Sequence, residues 1–323
     1  MLRTRLTERF GIEHPIMSAP MAHHSGGRLA AAVSKARALG SFGGIHRAGG
    51  PEWVREHVAL VRAATPRPFA VGFISASLSG FEGHFGAALA AKVPVIALSF
   101  GEFSPWLAQA KAVGAIAMCQ VQTLASARAA VVGGADILVA QGNEAGGHTG
   151  QMNLLPLLVS VIDAFPDVPM LASGGIASGR ALAAVLGAGA DGAWVGTAFL
   201  ATDECVEVNH EYKRLIGASD GEDTVFTRSY DIVSGAPWPA GIGERVRRNA
   251  FTDEWHQRDA ELASKRDALA REIGAGAGVD RRAVLYGQSA GAVRAVRPAA
   301  DVVREISGDA ERLLRASVFL WER

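Results

Sequence analysis

The chain has 323 residues, enough for one large domain or a large domain with a small partner, and either buries a sizeable core. Its 32 basic residues balance 32 acidic ones, so overall charge gives no reason to expect nucleic acid, an anionic membrane or a polyanionic substrate as a partner. Only Cys119 and Cys205 occur, far apart and without metal-ligand spacing, which argues against a disulfide framework or a zinc site and favours a reducing, cytoplasmic setting. Met1 to Phe10 has no apolar core of signal-peptide length, and no run approaches a membrane span.

Short apolar runs alternate with longer helical stretches from the start, the pattern of repeated βα units. The runs are Ile16 to Ala19, Ser41 to Ile45, Phe69 to Ile74, Val95 to Phe100, Ala115 to Val121, Ile137 to Gln141, Pro169 to Ser173 and Ala193 to Phe199. Between them, Gly27 to Leu39, Glu52 to Ala64, Pro105 to Ala112, Thr123 to Val132 and Ser178 to Leu186 repeat with helical period. Eight parallel strands, each feeding a helix, close naturally into a (β/α)8 TIM barrel, an α/β fold of roughly 250 residues. A doubly wound open sheet competes less well, because the first strand is not followed by G-x-G-x-x-G. Gly133-Gly134-Ala135-Asp136 and Gly187-Ala188-Gly189-Ala190-Asp191 each precede a strand and read as helix ends leading into the next unit.

After the eighth run the periodicity changes. Glu204 to Ile216 and Arg258 to Ile273 are amphipathic, with Pro237-Trp238-Pro239 between them. The expected organisation is a barrel over residues 1–204, a smaller, mainly helical subdomain inserted after strand eight over 205–280, acting as a lid or as an interface in a homo-oligomer, and a segment 281–323 returning to the barrel. Pro298 to Leu314 supplies an amphipathic helix to close the wall.

The functional end of such a barrel is its C-terminal face, so residues just past the strands carry the chemistry. The sixth run delivers Gln141-Gly142-Asn143-Glu144-Ala145-Gly146-Gly147-His148. His148 is the one side chain there that exchanges a proton near neutral pH, and the glycines permit positive φ and close approach of a flat ligand. Gln141 offers a carboxamide, while Glu144 is read as orienting the loop through backbone N–H groups. Runs seven and eight end in Ser173-Gly174-Gly175-Ile176 and Gly196-Thr197, glycine turns where barrels recurrently hold a phosphate. Ala19-Pro20-Met21 ends the first run with a rigid proline and a soft apolar residue suited to a planar ring.

Together with Gly287-Gln288-Ser289-Ala290-Gly291 near the C-terminus, these segments in this order and spacing resemble the nitronate monooxygenases, formerly 2-nitropropane dioxygenases. The resemblance implies an FMN-containing barrel, a flavin-dependent oxidoreductase that oxidises alkyl nitronates or nitroalkanes with O2 to carbonyl compounds and nitrite. It assigns the catalytic base to His148, flavin contacts to Gln141 and Gly146, phosphate binding to Gly174, Gly175 and Gly196 with Thr197 beside them, and a ring border to Ala19, Pro20 and Met21; no metal is implied. One departure stands out: where much of the family ends its third strand in Gly-Val-Asn, this chain reads Gly72-Phe73-Ile74. The Glu-Ala-Gly-Gly-His loop is also similar to FMN-dependent enoyl-acyl carrier protein reductases and NAD(P)H:quinone reductases, and a flavin-binding scaffold without activity is the reading from another class.

Overall fold

A computed structural model describes residues 2–46, 49–274 and 276–317. The eight parallel strands are β1 (Ile16–Ser18), β2 (Gly40–Gly43), β3 (Phe69–Ile74), β4 (Val95–Ser99), β5 (Ile116–Val121), β6 (Ile137–Gln141), β8 (Met170–Ser173) and β9 (Gly192–Val195), with a three-residue strand β7 (Gly147–Thr149) between β6 and β8. They lie in the order β1-β9-β8-β6-β5-β4-β3-β2. A parallel bridge between Met17 and Leu39 joins the two ends, so the sheet closes as the alternation of apolar runs and helices predicts. The barrel interior is filled by Met17, Leu39, Ala70, Val95, Met118, Val139, Leu171 and Trp194, and the helix Arg5–Phe10 plugs its N-terminal end with Leu6 and Phe10.

The repeated Gly-Ala-Asp phrases work as unit joints. Gly134 and Gly189 adopt positive φ where the helices end. The aspartates that follow cap a neighbouring strand: Asp136 Oδ2 accepts from the Ala117 N–H at 2.9 Å and Asp191 Oδ2 from the Met170 N–H at 2.8 Å. Thr123 forms a capping box with Ser126, and Ser178 accepts from the Ala181 N–H, which sets two of the outer helices one residue after their polar caps.

The helix Gly27–Lys35 has no side-chain cap at Gly26; instead, the Gly27 N–H donates to His57 Nδ1 at 2.5 Å. His57 is packed against Trp53, and burial first, then nearby His46, lowers its pKa to about 4. Its folded-state value lies below the ordinary 6.5, so the stability it contributes is present above that pH and is lost as pH falls from about 6.5 through about 4. In His57→Gln the amide oxygen still accepts from Gly27 without titrating. Urea midpoints of this variant fall less between neutral and mildly acid pH than those of the parent, and parallel curves would show that another histidine sets the acid limb.

The last outer helix is not contiguous with its strand. After β9 the chain makes a four-residue helix, Thr197–Leu200, so Thr197 and Phe199 are helical rather than the end of an extended run. It then leaves the barrel and returns as the helix Ala299–Ser317, which packs against the helices Gly179–Gly187 and Gly27–Lys35 and so fills the eighth position in the wall. Residues 318–323 lie outside the described residues. The excursion between is mainly helical, with His210–Ala218, Ser229–Ser234, Ala250–Trp255, Asp259–Ser264 and Arg266–Gly274. It also contains strands β10 (Thr224–Thr227) and β11 (Gly243–Arg247), which the periodicity does not reveal. They form an antiparallel sheet in the order β10-β11-β7, with a small core of its own around Val225, Val246, Phe251, Trp255 and Leu262. Among the described residues no helix is long and apolar enough to cross a membrane.

Candidate active site

The third strand of that small sheet belongs to the His148 loop. β11 pairs with β7 in the register Gly243 to Thr149, Glu244 to His148 and Arg245 to Gly147, so the excursion is tied to the barrel mouth through the histidine itself. The loop between Gln141 and Gly150 is closed by its own polar groups. Thr149 Oγ1 donates to the Gly142 carbonyl at 2.9 Å, and Asn143 Nδ2 donates to the Gly150 carbonyl at 2.6 Å. Arg245 clamps Asn143 from outside, Nε donating to its carbonyl at 2.7 Å and the guanidinium also reaching its side-chain oxygen. The Glu144 carboxylate accepts from the Leu154 N–H at 3.0 and 3.1 Å, which is the orienting role expected of it, at the start of the helix Leu154–Ala164.

Of the loop glycines only Gly147 has a positive φ, 72°. Gly142 and Gly146 are required for a different reason from the one the sequence suggests. A Cβ on Gly142 would stand 2.4 Å from the Leu154 N, and one on Gly146 would stand 2.4 Å from the Gly287 N and 2.6 Å from the Tyr286 Cα. The close approach is of the chain's own backbone. The Gly287 turn is thereby seated on the loop, where the Gln288 N–H also donates to the Glu144 carbonyl at 3.0 Å.

A cavity opens at this end of the barrel, with about 1100 Å³ of empty space counted out to its mouth. Ala19, Pro20, Met21, Gln141, Gly146, His148, Gly174, Gly175, Gly196 and Thr197 all line it, so the residues that the resemblance assigns to the base and the flavin lie on one space. Pro20 is held by its neighbour: a Cβ on Gly72 would meet the Pro20 ring at 2.3 Å. Phe73 and Ile74 put apolar surface on the cavity wall at the end of β3. Gln141 is largely committed to the protein. Its oxygen accepts from Gln122 at 2.9 Å and its nitrogen donates to the His148 carbonyl at 3.0 Å, leaving one N–H for the cavity, so its first task is to place the histidine. Thr197 Oγ1 accepts from the Gly287 N–H at 3.0 Å, and its own hydrogen remains to donate.

His148 stands at the rim with its Nε2 2.8 Å from Asp231 Oδ1. Trp238 stacks on one face of the ring, with centroids 3.5 Å apart and planes 16° from parallel, while Phe100 approaches both rings edge-on. Glu244 lies opposite on β11, and burial together with the Asp231 carboxylate pushes its carboxyl well above the ordinary range. One ligating atom from each of His148, Asp231 and Glu244 falls within 4.8 Å of the others, and of the three His148 and Asp231 are joined at hydrogen-bond distance. Asp231, Glu244 and Trp238 have no local motif. They reach the site because a chain segment some eighty residues away in sequence folds back across it, as the 83-residue separation of the His148–Asp231 pair records.

The space suits a flat ring with an anionic tail. Pro20, Met21, Phe73 and Ile74 give an apolar bed, and Gln120, Gln141 and Ser99 give polar groups at its edge. Gly174 and Gly175 also line the space with positive φ of 103° and 72°, and Gly196, beside Ala19 and Met21, meets nothing closer than 3.6 Å where a Cβ would be, so backbone without side chains forms part of the wall. Both cysteines are buried and unbridged; burial raises the Cys119 thiol, and raises that of Cys205 to about 12, so neither offers a thiolate.

A family model described as nitronate monooxygenase matches residues 3–83 and 73–309. The chain is 30% identical over 338 residues to a nitronate monooxygenase, npaC, of Metarhizium robertsii, covering 94% of this chain and 92% of that one. It is 33% identical over 233 residues to a Rhodococcus jostii (3aS,4S,5R,7aS)-5-hydroxy-7a-methyl-1-oxo-octahydro-1H-indene-4-carboxyl-CoA dehydrogenase, a match that takes in 71% of this chain but only 64% of that relative's length. Among solved structures, FabK from Thermotoga maritima superposes with a TM-score of 0.84 at 29% identity, covering 98% of both chains.

Proposed function

The chain belongs to the nitronate monooxygenase family, and from that premise we propose that it is a flavin-dependent oxidoreductase that oxidises alkyl nitronates or small nitroalkanes with O2 to carbonyl compounds and nitrite, with FMN as its flavin. The observation that carries this reading is the position of His148: an imidazole lining a cavity that Gly174, Gly175 and Gly196 also line, with its Nε2 held by Asp231 and its plane fixed by Trp238. His148 Nδ1 has no protein hydrogen-bond partner among the described residues, so it is the nitrogen left to take the proton α to a nitro group. Phe73, Ile74, Phe100 and Trp238 keep water from the nitronate carbon while it forms. Bare amides at Gly174, Gly175 and Gly196, with the Thr197 hydroxyl, would hold the phosphate tail, and Pro20 and Met21 would border the ring. FMN, when bound, supplies the electron acceptor for the nitronate and the route from it to oxygen.

The FabK likeness supports a second reading, an FMN-dependent reductase that draws on NAD(P)H. Anaerobic mixing separates the two. The monooxygenase reading expects the visible flavin spectrum to bleach on addition of propyl nitronate and to remain on addition of NADH or NADPH. Fast bleaching by a nicotinamide, with none by nitronate, would overturn it.

A further inference from the structure

Behind the His148 ring lie two carboxyl groups that its role as a base does not by itself explain. Asp231, in the helix Ser229–Ser234, and Glu244, on β11, are only 7% and 4% exposed. Asp231 spends Oδ1 on His148, but Asp231 Oδ2 and Glu244 Oε1 are buried without any hydrogen-bond partner. Among the described residues neither carboxyl has a lysine or arginine in ion-pair contact. The polar groups around them are already used: the Tyr212 hydroxyl donates to the Leu285 carbonyl, the Tyr230 hydroxyl is bonded to Asn249, and the neighbouring Arg245 is turned to Asn143 and Thr224. Trp238 closes the open face of the imidazole.

One oxygen of each carboxyl lies within 4.8 Å of the other with no cation in contact, and burial together with the Asp231 charge pushes the Glu244 carboxyl well above the ordinary carboxylate range, so Glu244 is the group that keeps a proton. A single proton between them also supplies the donor that the two orphaned oxygens lack. The charge count has a consequence for the imidazole. With both groups ionised, two negative charges beside His148 would make the ring an imidazolium before any substrate arrived, and an imidazolium accepts no proton. With one proton on the pair, a single negative charge remains on Asp231, enough to hold the Nε2–H and to match the positive charge that appears only after His148 has taken the substrate's proton.

We propose that Asp231 and Glu244 share one proton near neutral pH and act as positioning residues for His148, keeping it neutral with its hydrogen on Nε2 and its lone pair on Nδ1 toward the cavity. This deepens the reading of His148 as base and rests on it for its effect on turnover; the shared proton does not. Only a proton moves: it leaves the substrate carbon for Nδ1, and the Nε2–H stays on the Asp231 side.

The protonation state is tested first without substrate. The infrared spectrum of the flavin-loaded protein in heavy water near neutral pH should contain the carbonyl stretch of a protonated carboxyl, and this band should vanish in Glu244→Gln. Histidine-labelled nitrogen NMR of the unsubstituted protein, which depends on no variant folding, should show His148 as the neutral Nε2–H tautomer. An ionised pair, or an imidazolium, overturns the proposal whatever the enzyme turns over. Kinetics follow. Asp231→Asn should lower kcat/KM for a neutral nitroalkane on the order of a hundredfold while nitronate turnover falls much less. Should the band and tautomer be present while Asp231→Asn slows both substrates alike, the acid pair stands and the assignment of His148 as base fails.

Discussion

In His148→Asn, oxidation of neutral nitroalkanes should fall on the order of a hundred- to ten-thousandfold, the usual worth of a positioned acid–base group, while oxidation of the preformed nitronate falls much less. The asparagine side chain fills the near half of the imidazole's place beneath Trp238, its amide stopping short of the Nε2 position beside Asp231, so the flavin cavity is kept and the protein should remain yellow. What it loses is a basic nitrogen. A substrate that arrives with its carbon already deprotonated needs no base, and the two substrates therefore separate proton removal from everything else His148 touches. Nitrite release measured with both forms of the same nitroalkane, alongside the visible flavin spectrum, gives the comparison. Equal losses with flavin retained would assign His148 to substrate binding instead of proton transfer.

Much of this arrangement is readable from the chain because its signals are local. Each barrel strand is a short apolar run, two outer helices begin at the polar caps Thr123 and Ser178, and the His148 loop is one unbroken stretch from Gln141 to His148. The errors have physical causes of the same kind. The run from Ala193 to Phe199 is apolar throughout, and periodicity cannot tell a buried strand from a buried helical turn, so the strand appears to extend four residues beyond its end at Val195. β11 reads Gly-Glu-Arg-Val-Arg, and its charges look solvated; Glu244 and Arg245 are instead buried, because the strand lies between β10 and β7 and its polar side chains face the loop it supports. Gly142 and Gly146 were legible as glycines that something must approach closely, but not as glycines approached by Leu154 and by the Tyr286–Gly287 turn. Long-range partners leave no mark on local pattern. Asp231 and Trp238 are an aspartate in a short helix and a tryptophan between prolines until the fold sets both against the same imidazole.

The glycine cradle makes the second large prediction, and it can be separated from folding. Gly196 has φ of −107°, which any residue adopts, and a Cβ there would come no closer than 3.6 Å to Ala19 and 3.7 Å to Met21 Sδ. Nothing in the protein forbids alanine, so the apoprotein of Gly196→Ala should unfold at the parent's temperature. The added methyl group stands beside Ala19 and Met21 on the cavity wall, where the tail of a bound flavin would lie against bare backbone. Filling a closely fitted contact by one methyl costs about 1–3 kcal/mol, roughly a five- to 150-fold weakening of FMN binding. Gly174→Ala is the contrasting case: φ is 103° and the Cβ would stand 2.9 Å from the Gly142 carbonyl oxygen, a backbone atom that cannot rotate away. That variant should lose flavin and thermal stability together, since the left-handed backbone alone costs roughly 1–2 kcal/mol. Fluorescence titration of each apoprotein with FMN, paired with its thermal unfolding curve, reads both effects. Parent-like FMN affinity in Gly196→Ala would move the phosphate away from the end of β9, and with it the orientation of the ring relative to His148.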